Sequence, residues 1–237
     1  MCGTETSLYL KWCFALTCKF FEFAIKRLTN RPRCATITMK NCRLLDAIMG
    51  TYIKVNGLWD EGFIIDKYVE SSEYIGDDAF GRPQFNTTYT AIGKLLYALK
   101  YNGHLDTSES IAEMCVEFLD RWLSDKKVDS ILPAPPTIER ISQPVYMIAK
   151  AISAKIGIPY AEDVLKKTGS IPAKNIDKDK RDMHGSIIKL KPAKRKCNVL
   201  LIDDLYSTGS TANECVVALK KDPLVAKVYY LAIAKTK

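Results

Sequence analysis

Hydrophobic residues in the second half of the chain form short continuous runs separated by helical stripes. Residues 199–202 are four consecutive apolar residues, which is typical of a strand buried on both faces of a parallel sheet. From Thr211 onward, apolar residues recur at helical spacing, so a helix follows that strand after a short polar loop. The other predicted core elements are strands at 128–132, 160–165, 186–190 and 225–234 and a helix at 140–156. This order predicts an α/β fold in which a mostly parallel sheet carries helices on both faces.

The first half of the chain has a different pattern. Residues 51–89 predict short strands joined by turns, because glycine, proline and aspartate interrupt them repeatedly. Two amphipathic helices follow, at 89–101 and 108–123, and the first ends at Asn102-Gly103, a common helix terminus. The chain therefore divides into an extension (1–48), a small strand-plus-helix region (49–126) and a core domain (127–237).

Composition indicates a globular protein, since 47% of the 237 residues are apolar and 26% are charged. The net charge of +8 is unevenly distributed, because residues 1–48 contain eight Lys/Arg and only three Asp/Glu. Most of the basic excess thus lies outside the core domain, which weakens any argument for nucleic-acid binding from net charge alone.

The extension at 1–48 is poorly defined, basic and rich in cysteine, with five of the eight cysteines of the chain. Its apolar stretch at 8–25 is interrupted by three charged residues, which makes it a poor membrane span but leaves a membrane-surface helix open. The cysteine spacing does not match the closely paired cysteines of structural zinc sites. A simpler hypothesis is an over-extended start, with translation beginning at or near Met49. No secretory signal is visible, so we expect a reducing, cytoplasmic location without disulfides.

The strand at 199–202 is followed by two adjacent carboxylates, Asp203 and Asp204. The loop between them and the next helix contains Ser207, Thr208, Gly209, Ser210 and Thr211. Small hydroxyl residues ahead of a helix N-terminus suit a phosphate, because backbone N–H groups and hydroxyls point at the anion. The carboxylates repel phosphate but suit ribose hydroxyls or a divalent cation. The acid pair and the loop together indicate a ribose 5-phosphate. The alternative is an ordinary strand followed by a helix N-cap, for which Ser207 and Thr208 would be sufficient.

This segment resembles the phosphoribosyl-pyrophosphate (PRPP) signature of type I phosphoribosyltransferases. The resemblance implies that Asp203 and Asp204 hold the ribose hydroxyls, directly or through Mg2+, and that residues 207–211 wrap the 5-phosphate. It also implies the type I phosphoribosyltransferase fold, with a flexible hood over the site.

A second loop follows the first core strand and is rich in proline. Its residues are Pro133, Ala134, Pro135, Pro136 and Thr137. We expect it to be rigid and to begin directly at Pro133, at the carboxyl edge where ligands of open α/β sheets bind. Together with Arg140, Gln143 and Pro144, it resembles the pyrophosphate loop of the competence-protein F (ComF) type of phosphoribosyltransferase. The resemblance implies that this loop and Arg140 bind pyrophosphate; a plain strand-to-helix turn and a solvated arginine are the alternatives.

Two further segments resemble ComF-type enzymes. The first is Leu96-Tyr97-Ala98-Leu99-Lys100-Tyr101-Asn102-Gly103, in which Lys100 is either an exposed cation at a helix end or a ligand. The second is the polar stretch 166–185, which is typical of either a disordered insertion or a mobile lid, and the resemblance implies that it is the hood. Its candidates for neutralising pyrophosphate are Lys166, Lys167 and Arg181, each of which would otherwise be a solvated loop residue.

The sequence thus predicts a ComF-type enzyme that binds PRPP with Mg2+ and transfers its phosphoribosyl group to an acceptor, releasing pyrophosphate. Three points stay open: the identity of the acceptor, whether turnover occurs, and a link to DNA uptake or handling. The candidate partners are single-stranded DNA and, in a homodimer, a second copy of the chain. The alternative is a non-catalytic protein that senses PRPP or associates with nucleic acid.

Overall fold

A computed structural model of the chain describes residues 52–136, 140, 142–168 and 186–236. The strands are β1 (Ile53–Lys54), β2 (Glu61–Lys67), β3 (Val69–Asp77), β4 (Pro83–Tyr89), β5 (Ser130–Pro133), β6 (Leu165–Lys167), β7 (Ile187–Lys189), β8 (Cys197–Tyr206) and β9 (Val225–Lys235). The helices are α1 (Ala91–Tyr101), α2 (Thr107–Trp122), α3 (Pro144–Ile156) and α4 (Ser210–Lys220). The predictions at 1–48 and Met49, and the segment 169–185 of the predicted hood, lie outside the described residues.

A five-stranded sheet with the order β1-β2-β9-β8-β5 forms the centre of the fold. β1 is antiparallel to β2, and the pairs β2–β9, β8–β9 and β5–β8 are all parallel. The carboxyl ends of four strands therefore meet at one edge, which we call the carboxyl edge. β2 belongs to the predicted small region and β9 to the predicted core domain, yet the two strands are hydrogen-bonded neighbours in this sheet.

Alternating side chains of the sheet pack against helices on its two faces. On one face, Leu200 and Ile202 of β8 lie in a cluster that includes residues of α1, α2 and α3. On the other face, Val199 and Leu201 lie in a cluster with α4. β8 is thus buried on both faces, and the predicted α/β class, with a mostly parallel sheet between helices, is confirmed.

Two predicted boundaries in the core domain are wrong. The helix expected from Arg140 begins at Pro144, because Gln143 is an extended cap residue and Pro144 occupies the first helical turn, where its missing N–H costs nothing. The strand expected at 160–165 is reduced to one bridge between Tyr160 and Ile131, and pairing resumes only in β6.

Pro133 was expected to begin a loop, but it is the last residue of β5 and pairs with Ile202. Ile131 bonds on its other side to the Pro159–Ala161 segment, so β5 alternates between its two neighbours. Pro133 lies two residues after Ile131, so its backbone nitrogen points to the same side, toward the 159–161 segment. Pairing with that segment has ended there, so the missing N–H of the proline leaves no hydrogen bond unmade. The chain then continues from Ala134, whose N–H donates to the Ile202 carbonyl at 2.8 Å.

Within the described part of the chain, no helix is long and apolar enough to cross a membrane.

Candidate active site

The two carboxylates of the signature lie side by side near the end of β8, within the strand and not after it. The Tyr230 hydroxyl donates to Asp203 Oδ2 at 3.2 Å, and the Asp204 backbone N–H donates to Asp203 Oδ1 at 2.9 Å. Burial, followed by the neighbouring charge of Asp204, raises the pKa of Asp203 to about 7. Asp203 therefore keeps a proton at mildly acidic pH, where an ordinary carboxyl has lost it.

Lys100 at the end of α1 reaches the second carboxylate. Its Nζ lies 2.8 Å from Asp204 Oδ2, and only 7% of its side chain is exposed. The lysine is a buried ion-pair partner of the acid pair and not an exposed helix-end cation. The sequence left Lys100 open between an exposed cation and a ligand, and the signal that pointed to it was the segment Leu96-Tyr97-Ala98-Leu99-Lys100-Tyr101-Asn102-Gly103.

The signature loop joins β8 to α4 through a left-handed residue, Gly209, with φ of +80°. The positive φ favours glycine, and a Cβ at this position would lie 3.0 Å from the ring of Tyr206, so the ring would have to shift by a few tenths of an ångström. Thr208 and Ser210 are exposed, with their hydroxyl oxygens 3.2 Å apart. No acidic residue lies in the first turn of α4, so the positive end of the helix is available to an anion.

One cavity of about 280 Å³ brings most of these elements together. Its lining includes Lys100, Tyr101, Ala134, Pro135, Pro136, Arg140, Gln143, Asp203, Asp204 and Thr211. The acid pair, the proline-rich loop and the last residue of the signature loop thus share one space, although they come from separate parts of the chain. Arg140 lies at this cavity despite being outside α3.

The other predicted site residues are distributed differently. Ser207, Thr208 and Ser210 are exposed and Gly209 is buried, and none of the four is among the residues that line the cavity. Lys166 and Lys167, expected in the loop-like hood, instead lie in β6, which pairs antiparallel with β7. Thr137 and Arg181 lie outside the described residues.

The cavity offers suitable but incomplete ligands for Mg2+. Carboxylate oxygens are the hard donors that this ion prefers, and Asp203 and Asp204 provide them. Among the described residues, however, no group of three or more His, Cys, Asp or Glu side chains could enclose a metal. The donor set therefore fits an ion held jointly by these carboxylates and by oxygen atoms of a bound substrate, and not a metal bound by the protein alone.

No protein-family model matches this chain, and no curated protein matches it. Among solved structures, adenine phosphoribosyltransferase from Leishmania tarentolae is similar at 11% identity and a TM-score of 0.41, covering 78% of this chain and 94% of that one. Hypoxanthine phosphoribosyltransferase from Staphylococcus aureus is similar at 16% identity and a TM-score of 0.38, covering 54% of this chain and 64% of that one. UMP synthase from Leishmania donovani is similar at 19% identity and a TM-score of 0.32, covering 67% of this chain but only 27% of the synthase. Similarities this weak carry no argument about activity, which has to be inferred from the cavity itself.

Proposed function

We propose that this chain is a PRPP-binding phosphoribosyltransferase of the ComF type, which releases pyrophosphate as it transfers the phosphoribosyl group to an acceptor. The observation that carries the proposal is the shared cavity, in which Asp203 and Asp204 face a proline-rich loop and the entry to α4. A phosphate cradle beside two carboxylates matches a molecule that carries both phosphate and vicinal hydroxyls.

Each part of the cavity has a role in this proposal. The ribose hydroxyls donate to Asp203 and Asp204, and the 5-phosphate binds the N–H groups and hydroxyls of residues 207–211. Pro133 to Thr137 and Arg140 hold the pyrophosphate, with Lys166, Lys167 and Arg181 adding positive charge. Mg2+, when bound with the substrate, neutralises the departing pyrophosphate. The volume of about 280 Å³ is at the lower end of ligand pockets and suits a sugar phosphate better than a large ligand.

The reaction breaks the bond between ribose C1 and pyrophosphate and forms a bond between C1 and a nucleophilic atom of the acceptor. The protein contributes by positioning the substrate and by fixed charges and dipoles around it. The electron pair of the breaking bond leaves with pyrophosphate, and in this proposal Arg140, which lines the cavity, stabilises its negative charge.

Calorimetric titration of PRPP in the presence of Mg2+ tests binding. We expect saturable binding to the wild-type chain and its loss when Asp203→Asn is combined with Asp204→Asn. A matched control, Glu113→Gln with Asp120→Asn on the exposed face of α2, makes the same change in charge and should bind normally. Wild-type protein that does not bind PRPP, or a double Asp variant that still does, would refute the site. Release of pyrophosphate across candidate acceptors then tests turnover.

The second candidate function is a PRPP sensor without turnover, and the Lys100–Asp204 ion pair favours it. Lys100 Nζ lies 2.8 Å from Asp204 Oδ2 and competes with the ribose hydroxyls and with Mg2+ for this oxygen. PRPP binding without pyrophosphate release for any acceptor would support this function. Salt-dependent binding of single-stranded DNA would support the nucleic-acid-associated form of the same alternative.

A further inference from the structure

The strands β3 and β4 form a separate two-stranded sheet, a hairpin that we call the arm (residues 69–89). Neither strand has a buried residue, and large hydrophobic side chains are open to solvent along it. These are Tyr74, Ile75, Phe80 and Phe85. A lone two-stranded sheet is only marginally stable in water, and exposed apolar side chains of this size commonly mark an interaction surface.

The tip of the arm presents one aromatic ring in a fixed turn. Phe80 is 82% exposed, the largest exposed fraction among the large hydrophobic residues of the described chain. Asp78 Oδ1 accepts from the N–H groups of Phe80 and Arg82 at 2.8 and 2.9 Å, and the Asp78 N–H donates to the Arg82 carbonyl. The Arg82 guanidinium lies 5.8 Å from the centre of the Phe80 ring. A ring held in place before binding loses little conformational entropy on docking.

Charge restricts what the arm can bind. Residues 69–89 carry four carboxylates and one arginine, so the arm is acidic on a chain whose net charge is +8. An acidic surface repels the phosphates of a nucleic acid, and two arms side by side would repel each other. The partner surface should therefore combine apolar contacts with positive charge.

A surface of that kind lies on this chain between β7 and the end of α4. It is a groove of about 620 Å³ whose apolar lining includes Ile188, Leu190 and Leu224, which are 41%, 48% and 37% exposed. Its charged lining residues are three lysines, Lys189, Lys191 and Lys221, and one aspartate, Asp222. Lys189 pairs with Asp222, and Lys191 pairs with Asp163, so Lys221 supplies the remaining positive charge. The groove thus combines an apolar lining with a small net positive charge, which complements the apolar and acidic arm.

The arm and the groove lie at opposite edges of the central sheet. The arm leaves β2 after Lys67, at the carboxyl edge, whereas the groove borders the residues that precede β8 and β9. Both ends of the arm are attached at the carboxyl edge, to β2 and to α1, so the arm begins at the edge opposite the groove of its own copy. We propose that the arm binds, through Phe80, the Leu190–Leu224 groove of a second copy of this chain. The contact joins two different surfaces, so it forms either a closed ring or an open chain of copies.

Sedimentation velocity of the full chain over a range of concentrations tests this contact. We expect wild-type protein to self-associate, and Phe80→Asp or Leu190→Asp to weaken association at least about tenfold, as loss of an interface anchor does. Val217→Asp is the control, because Val217 is 45% exposed on α4 and lies outside the groove lining. Circular dichroism would verify that each variant is folded. Wild-type protein that stays monomeric at the highest attainable concentration would overturn the proposal.

A mixing experiment separates this contact from other ways of pairing. Phe80→Asp protein keeps an intact groove and Leu190→Asp protein keeps an intact arm, so the two together can form one complete contact. We expect a one-to-one complex in the mixture that neither variant forms alone. Absence of that complex, or association that responds to Phe80→Asp but not to Leu190→Asp, would show that the arm binds elsewhere and would overturn the proposal. PRPP binding plays no part in this readout, so the outcome is independent of the proposed function.

Discussion

Lys100 Nζ and Asp204 Oδ2 lie 2.8 Å apart, which ties the last turn of α1 to the carboxyl end of β8. The lysine side chain is almost fully buried, whereas a fifth of the Asp204 side chain is exposed. A buried charge needs a partner, and in this pair each charged side chain provides it for the other. The pair therefore has a structural role in the ligand-free protein and competes with any ligand that needs Asp204.

Replacing Lys100 with methionine should lower the free energy of unfolding by about 3 kcal/mol, the lower end for breaking a buried ion pair, because Asp204 keeps some contact with water. Urea unfolding at pH 7 measures this change. Lys94→Met, an exposed lysine on the same helix, should cost less than about 0.5 kcal/mol. In a double-mutant cycle, Asp204→Asn should reduce the cost of Lys100→Met; strictly additive effects would contradict a direct interaction.

Asp203→Asn should increase stability at alkaline pH while removing PRPP binding. The folded-state pKa of about 7 lies above the ordinary value of 3.8, so between about pH 4 and pH 7 the folded chain holds a proton that the unfolded chain has lost. Stability therefore falls as pH rises through this window, and asparagine, which does not titrate, removes the fall.

Urea unfolding at pH 5 and pH 8 checks the prediction for Asp203. The wild-type chain should lose more stability than Asp203→Asn between these two conditions. Asp204→Asn should give a partial effect, because it removes the neighbouring charge but leaves burial, the larger cause of the raised pKa. An Asp203→Asn variant with the same pH dependence as wild type would show that this carboxyl does not titrate in the window.

Gly209→Ala should weaken PRPP binding at least about tenfold, because an added Cβ lies 3.0 Å from the Tyr206 ring under the phosphate loop. Its positive φ should also cost about 1–2 kcal/mol of stability. Gly157→Ala is the matched control: this glycine ends α3 with φ of +73°, but no atom of the described residues lies within 4 Å of the added Cβ. We expect it to lose similar stability and to bind PRPP normally. Equal binding by the two variants would contradict a role for the loop conformation.

The helices and strands that were predicted correctly are those whose pattern of apolar residues lies within the element itself. The run at 199–202 and the helical stripe after Thr211 predicted β8 and α4, because a strand buried on both faces and an amphipathic helix have distinct periodicities. The last strand and the two helices α1 and α2 were predicted for the same reason, within about two residues at each end. The position of the acid pair at the carboxyl edge of the sheet therefore follows from the local sequence alone.

The missed features depend on contacts between distant parts of the chain. Lys100 looks like any lysine at a helix end until α1 packs beside β8, and Tyr230 reads only as a core residue of β9 until it meets Asp203. Helix α3 starts later than its apolar stripe indicated, because Pro144 sets its first turn. The sequence showed strands in the arm but not that they leave the central sheet, because exposure on both faces follows from the packing of the rest of the chain.

Asp222→Asn should make the fold less stable at neutral pH and less sensitive to acid. The Asp222 side chain accepts hydrogen bonds from the N–H groups of Ala193 and Leu224, at 2.7 and 2.9 Å, and from Lys189. The Ala193 bond, followed by those of Lys189 and Leu224, lowers the pKa of Asp222 to about 2 from its ordinary value of 3.8. The unfolded chain therefore binds a proton first, so this stabilisation is complete above about pH 4 and is lost as pH falls toward 2.

Urea unfolding between pH 7 and pH 2 would measure the contribution of Asp222. Asparagine keeps an oxygen acceptor but loses the charge, so the variant should begin less stable and lose less on acidification. Asp163→Asn is the control, because Asp163 is 64% exposed and pairs with Lys191, and its effect should be smaller and should disappear in high salt. If the two variants respond alike to acid, the backbone hydrogen bonds of Asp222 do not hold the turn between α4 and β9 in place.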